Sequence, residues 1–140
     1  MENRIRNALM NYEVYRAEIN VCREWAKDCD SKPVRRRLRL LEQRVVIIEY
    51  WMSLLNEDEA FVVSKHLIDG IEWGRIANLY EQKWGLQFAK AERTLVRYQA
   101  NALKKIARYA KKALFKKFCK RDFCDEVRDF KIPEPEAVAS

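Results

Sequence analysis

Turn-forming residues are nearly absent from this chain. Three Gly and three Pro occur among 140 residues, too few to punctuate the short strands of a β fold. The Leu, Ala, Arg, Lys and Glu that fill the rest favour helices. The expected class is therefore all-α. A chain of this length buries one core, or a small domain with a helical appendage.

The apolar stepping locates the helices. Ile5, Ala8, Tyr12, Tyr15, Ile19, Cys22, Ala26 and Cys29 alternate steps of three and four, which predicts one helix over 3–29 with a seven-residue seam. Such a seam serves a coiled segment, or half of it serves as an ordinary buried face. DCDSKP at 28–33 interrupts the pattern: Asp30 or Ser31 is placed to cap the next helix, and Pro33 suits its first turn. The second helix then runs to about Leu55. Leu38, Leu41, Val45, Ile48, Met52 and Leu55 repeat the stepping, and Leu40, Val46, Ile47 and Tyr50 widen the apolar surface. More than one neighbour is needed to cover it. Its start carries Lys32, Arg35, Arg36, Arg37 and Arg39. Cations there oppose the helix dipole, so the cluster reads as a phosphate contact or as a solvated end.

Residues 54–106 organise the remainder as three helices. Asn56-Glu57-Asp58-Glu59 combines a capping acceptor with acids in the first turn, starting a helix to about Ile68 that Asp69-Gly70 ends. His66 falls near its apolar face and reads as a packed residue with one hydrogen bond, more than as a ligand. A second helix from Trp73 to about Lys83 uses Ile76, Ala77, Leu79 and Tyr80 as its core face and stops at Gly85. Leu86 and Phe88 are expected to plug the angle to the third. That last helix, entered around Ala89, presents Leu95, Tyr98, Ala102, Ile106, Tyr109 and Ala113 on one face. Without a breaker before the 120s it extends for about 30 residues, or ~45 Å. Leu114, Phe115, Phe118 and Phe123 add apolar surface to its second half, and IPEPEAVAS reads as a disordered tail. The expected division is a helical hairpin or coiled segment over 1–55 for packing or oligomerisation, a helix-turn-helix domain with an extended last helix over 56–121, and an acidic, partly disordered tail over 122–140.

Charge separates these parts. The formal net charge is +7, and it is unevenly placed. Residues 89–121 hold twelve Lys or Arg against the single acid Glu92, whereas 56–88 hold three bases and six acids and 122–140 two and six. The positive field belongs to the last helix, as for an element that faces phosphates.

Other chemistry is sparse. No phosphate-binding glycine loop, nucleophile elbow or paired-histidine metal motif occurs, and one His with four scattered Cys cannot build a triad or a three-histidine site. Neither enzyme activity, metal nor cofactor is expected. The spacings of Cys22 to Cys29 and of Cys119 to Cys124 are wider than the close pairs of structural zinc sites. MENRIRNALM lacks the apolar run of a signal peptide, and no stretch approaches a membrane span. The expectation is a cytoplasmic protein of a bacterial host cell, with reduced thiols.

LNEDEAFVVSKHLIDGIEWGRIA at 55–77 resembles the first two helices of the sigma-factor region-four domain, and ERTLVRYQANALKKIA at 92–107 resembles the recognition helix of that superfamily. Over residues 38–107 the chain is most similar to small phage late-gene transcription activators of Gram-positive bacteria, the RinA and ArpU type. One departure stands out. EQKWGLQFAKAE at 81–92 is longer than the family's turn, with Ala89 or Ala91 where a capping Ser or Thr is usual. Either the recognition helix starts early and presents Lys90, or the helix before it runs an extra turn.

The resemblance implies a sequence-specific DNA-binding regulator of late genes whose recognition helix lies in the major groove. Glu92, Arg93, Thr94 and Arg97 are the expected base contacts, the two arginines one turn apart and suited to guanine. Trp73, Arg75, Lys83, Lys90 and Lys104 are the expected phosphate contacts. Double-stranded DNA, RNA polymerase and a second copy of the chain are the expected partners, with no membrane. Two alternatives stand beside this: a DNA-packaging subunit of the small-terminase kind, which predicts a ring, and an adaptor for RNA polymerase that uses its tryptophans and not its basic face.

Overall fold

A computed structural model describes residues 2–29 and 31–110. Every regular element among them is helical: α1 (Glu2–Met10), α2 (Tyr12–Asp28), α3 (Lys32–Ser53), α4 (Glu57–Val63), α5 (Trp73–Trp84) and α6 (Glu92–Ala110). The expected second half of the last helix, the acidic tail and Asp30 lie outside the described residues.

Helices α2 and α3 form an antiparallel hairpin, tied at its edges by Tyr12 Oη to Glu49 (3.4 Å) and Arg23 to Glu42 (3.3 Å). Ser31 caps α3 by accepting from Val34 N, and Pro33 sits in its first turn, as expected. The single helix expected over 3–29 is broken at Asn11. Residues Ile5, Ala8 and Leu9 of α1 are buried, and so are Tyr15, Ile19 and Cys22 of α2. On one straight helix these two faces would differ by roughly a quarter turn. The break lets α1 turn onto α6 while α2 keeps its face on α3. Asn11 makes it inexpensive, because its amide nitrogen donates to the Asn7 carbonyl at 2.7 Å and occupies a carbonyl of the last turn. On α3, Ile47 is buried as expected but Val46 is 63 % exposed and Tyr50 is exposed too, since α2 and the core occupy only the opposite side.

The second half is built around α6, against which α1, α4 and α5 all pack. Asn56 and Glu59 form a full capping box at the start of α4. The helix then widens into a π turn over Ser64–Ile68, closed by Asp69 N to Ser64 O at 2.9 Å. Gly70 follows with φ 71°, where a side chain would be strained. Helix α5 stops at Gly85, whose φ of 101° and ψ of 156° only glycine adopts readily.

The connection resolves both alternatives left by the sequence differently. Helix α5 ends one residue past Lys83, a 3-10 turn covers Leu86–Phe88, and α6 starts at Glu92. Ala91 stands at the capping position, its carbonyl accepting from Thr94 and Leu95. Leu86 and Phe88 do not plug the helix angle; both are exposed.

Two substitutions test this punctuation by urea unfolding. Asn56→Ala removes the capping acceptor and is expected to cost about 1 kcal/mol. Gly85→Ala forces a side chain into glycine-only backbone and is expected to cost about 1–3 kcal/mol.

Candidate nucleic-acid interface

One face of α6 is apolar and closed. Leu95, Ala102, Leu103 and Ile106 are buried, Leu95 with Val62, Ile76 and Tyr80, the others with α1, α3 and the π turn. The opposite face is basic and open. Arg93, Arg97, Lys104 and Arg108 are all exposed, and at 100° per residue they fall within a sector of about 60°. Their backbone spans about 22 Å along the axis. No ion pair engages any of the four among the described residues, and Glu92 is the sole acid of α6. Between the two pairs the surface offers Ala100, half-buried, and Asn101, exposed.

Of the expected base contacts, Arg93 and Arg97 stand on this stripe. Thr94 is half-buried on its flank. The Glu92 carboxylate leans away: Oε1 lies 3.2 Å from where a Cβ on Gly74 would be. It sits over the first turn of α5, a helix start that lacks a side-chain cap, and its charge complements that end of the dipole. The same contact shows that α6 begins beside the start of α5 and not beside its end, so residues 85–91 run back along α5.

Among the expected phosphate contacts, Lys104 lies on the stripe, and Arg75 and Lys90 are exposed without an ion pair among the described residues. Lys83 is exposed but rests over the rings of Trp84 (4.7 Å) and Phe61 (5.2 Å). Trp73 is half-buried and stacks on His66, ring centroids 4.0 Å apart. That stacking holds the π turn to α5 and leaves Trp73 a structural task. Arg108 and Asn101 were not among the expected contacts. Arg108 follows Lys104 by four residues and Lys104 follows Arg97 by seven, spacing that places all three on one side.

Polar ties fix the orientation of α6. Glu59 Oε1 accepts from the Asn56 backbone (3.1 Å) and from Lys105 Nζ (2.7 Å), so one carboxylate serves both the cap of α4 and an ion pair to α6. His66 Nδ1 lies 2.6 Å from Oε1 of buried Gln99. The amide oxygen accepts in the tautomer that carries the ring proton on Nδ1. This is the packed, hydrogen-bonded histidine expected. Tyr80 Oη donates to Asp58 at 2.6 Å. Burial first, then this hydrogen bond and the carboxylate's charge, hold the Tyr80 phenol well above its ordinary range.

Among the described residues no group of three or more His, Cys, Asp or Glu side chains could hold a metal, and no helix is long and apolar enough to cross a membrane. Compared with protein-family models, curated proteins and solved structures, the chain matches none.

Neighbouring lysines of α6 should behave oppositely in thermal or urea unfolding. Lys105→Ala leaves the nearly buried Glu59 carboxylate short of a partner and is expected to cost about 1–3 kcal/mol. Lys104→Ala removes an exposed charge and is expected to stay within about 0.5 kcal/mol of the parent. For Tyr80 the raised phenol means that the folded state binds its proton more tightly. That stabilisation is complete below the unfolded phenol pKa of about 10 and is lost as pH rises above it. Tyr80→Phe should lower stability at neutral pH by about 2 kcal/mol and flatten part of the alkaline decline.

Proposed function

We propose that this protein binds double-stranded DNA through the exposed face of α6. The observation that carries the reading is the stripe of Arg93, Arg97, Lys104 and Arg108, open to solvent on a helix whose other side is closed by three neighbours. Cations left unpaired on a rigid element are what a polyphosphate surface requires. A helix fits the major groove, where Arg93 and Arg97 at its first turns are the base-reading pair. Lys104 and Arg108, farther along, reach flanking phosphates, joined by Arg75 and Lys90 from α5 and its connection. Within that class, the reading is a transcription regulator of the phage late-gene activator kind, acting in a bacterial cytoplasm with RNA polymerase as its further partner. Helices α5 and α6 then form a helix-turn-helix with a lengthened connection.

Fluorescence anisotropy with duplex DNA across a salt series tests the reading. Log Kd should depend linearly on log salt, and Lys104→Ala should lower the slope by about one. Arg93→Ala with Arg97→Ala should abolish preference for a sequence selected from a random pool, with helix content unchanged. Binding without salt dependence, or unaffected by the double substitution, contradicts it.

A further inference from the structure

Residues 82–91, QKWGLQFAKA, contain two lysines and no acid, yet they place two large apolar side chains in water. Leu86 is 76 % exposed and Phe88 51 %. Leu86 forgoes most, and Phe88 about half, of the roughly 2 kcal/mol that full burial offers. The local backbone does not require them. Gly85 supplies the unusual backbone angles, and the turn closes through Phe88 N to Gly85 O (3.0 Å) and Ala89 N to Leu86 O (3.1 Å). The neighbouring core does not use them either, since Phe61, Tyr80 and Trp84 pack on one another. Large side chains left this exposed on a connection among the described residues mark a contact surface.

Their setting indicates what they touch. Lys83 and Lys90 flank the turn, and the basic stripe of α6 opens at Arg93, five residues beyond Phe88 and at most about 17 Å of chain away. Glu81 and Glu92 bracket the segment and Lys83 rests over the Trp84 and Phe61 rings, so the cation it adds toward the stripe is Lys90, exposed between Phe88 and Arg93. Cations that take phosphates beside Leu and Phe side chains are the combination by which proteins part base steps from the minor groove.

We infer that the Leu86–Phe88 turn is an apolar wedge that enters the DNA minor groove next to the segment held by α6 and unstacks one base step. This rests on the DNA-binding reading above. Gln87, exposed between the two, is placed to meet base edges there, and Lys90 to hold the adjoining phosphate. The bend that follows brings more of the basic surface onto the duplex.

The test uses the full chain and a short duplex recovered by selection, carrying 2-aminopurine at successive steps. Wild-type protein should raise the fluorescence at one step beside the α6 site. Leu86→Ser with Phe88→Ser should abolish that rise and weaken binding about tenfold. It should leave the salt slope and helix content unchanged, because both side chains are exposed and no phosphate contact is removed. Phe88→Trp should keep the rise. If the double variant binds and unstacks like wild type, or if wild type binds without an unstacked step, the wedge is wrong and the turn belongs to a protein partner. If wild type binds no duplex at all, the DNA reading itself falls, and the wedge with it.

Discussion

The structure depends on helix α6 being buried along one side by three helices at once. Leu95 closes against α4 and α5, while Ala102 and Ile106 belong to the core cluster that α1 and Val63 of α4 share. The small side chains Ala102, Ala107 and Ala110, all buried, leave room for neighbouring backbones. The pattern admits one rotation only. Turning α6 by a single residue would carry Arg97 toward the core and lift Ile106 out of it. The Glu59–Lys105 pair and the His66–Gln99 hydrogen bond lock that rotation with directional contacts. The basic stripe is thus a consequence of packing, and its four side chains inherit a rigid base.

The α2–α3 hairpin uses polar groups differently. Arg44 is fully buried over the Tyr15 ring, and Glu18 on α2 is almost as deep. Burial raises the Glu18 carboxyl above its usual range, while Arg37 and Arg44 pull the other way. Charges in such a setting add little net stability. They favour this register, because in it Arg37 and Arg44 of α3 both act on Glu18 of α2. Arg37 is drawn into this arrangement, so the basic start of α3 is not a uniform free surface. The sharper positive surface lies on α6.

Boundaries were legible wherever local chemistry makes them. Ser31 with Pro33, Asn56 with Glu59, Gly70 and Gly85 mark helix ends through their own hydrogen bonds or backbone freedom, and they appear where the sequence places them. Features that depend on a distant partner were not legible. The break at Asn11 follows from α1 and α2 facing different neighbours, which the unbroken stepping of Ile5, Ala8, Tyr12 and Tyr15 conceals; Leu9, buried but off that stepping, was the one local clue. The π turn, the return path of 85–91 and the exposure of Leu86 and Phe88 are tertiary in the same way. At the candidate site, the four-residue spacing of Arg93 and Arg97 gave their shared face, whereas Glu92 and Trp73 have tertiary partners, Gly74 and His66, that no spacing announces.

The most direct measurement is backbone amide chemical-shift mapping of the full chain titrated with duplex DNA at moderate salt. The account predicts that perturbations concentrate on exposed positions from Lys90 to Arg108 and on Arg75, while exposed positions of the α2–α3 hairpin stay unchanged. Perturbations confined to Arg35, Arg36 and Arg39 at the start of α3, with α6 silent, would contradict it.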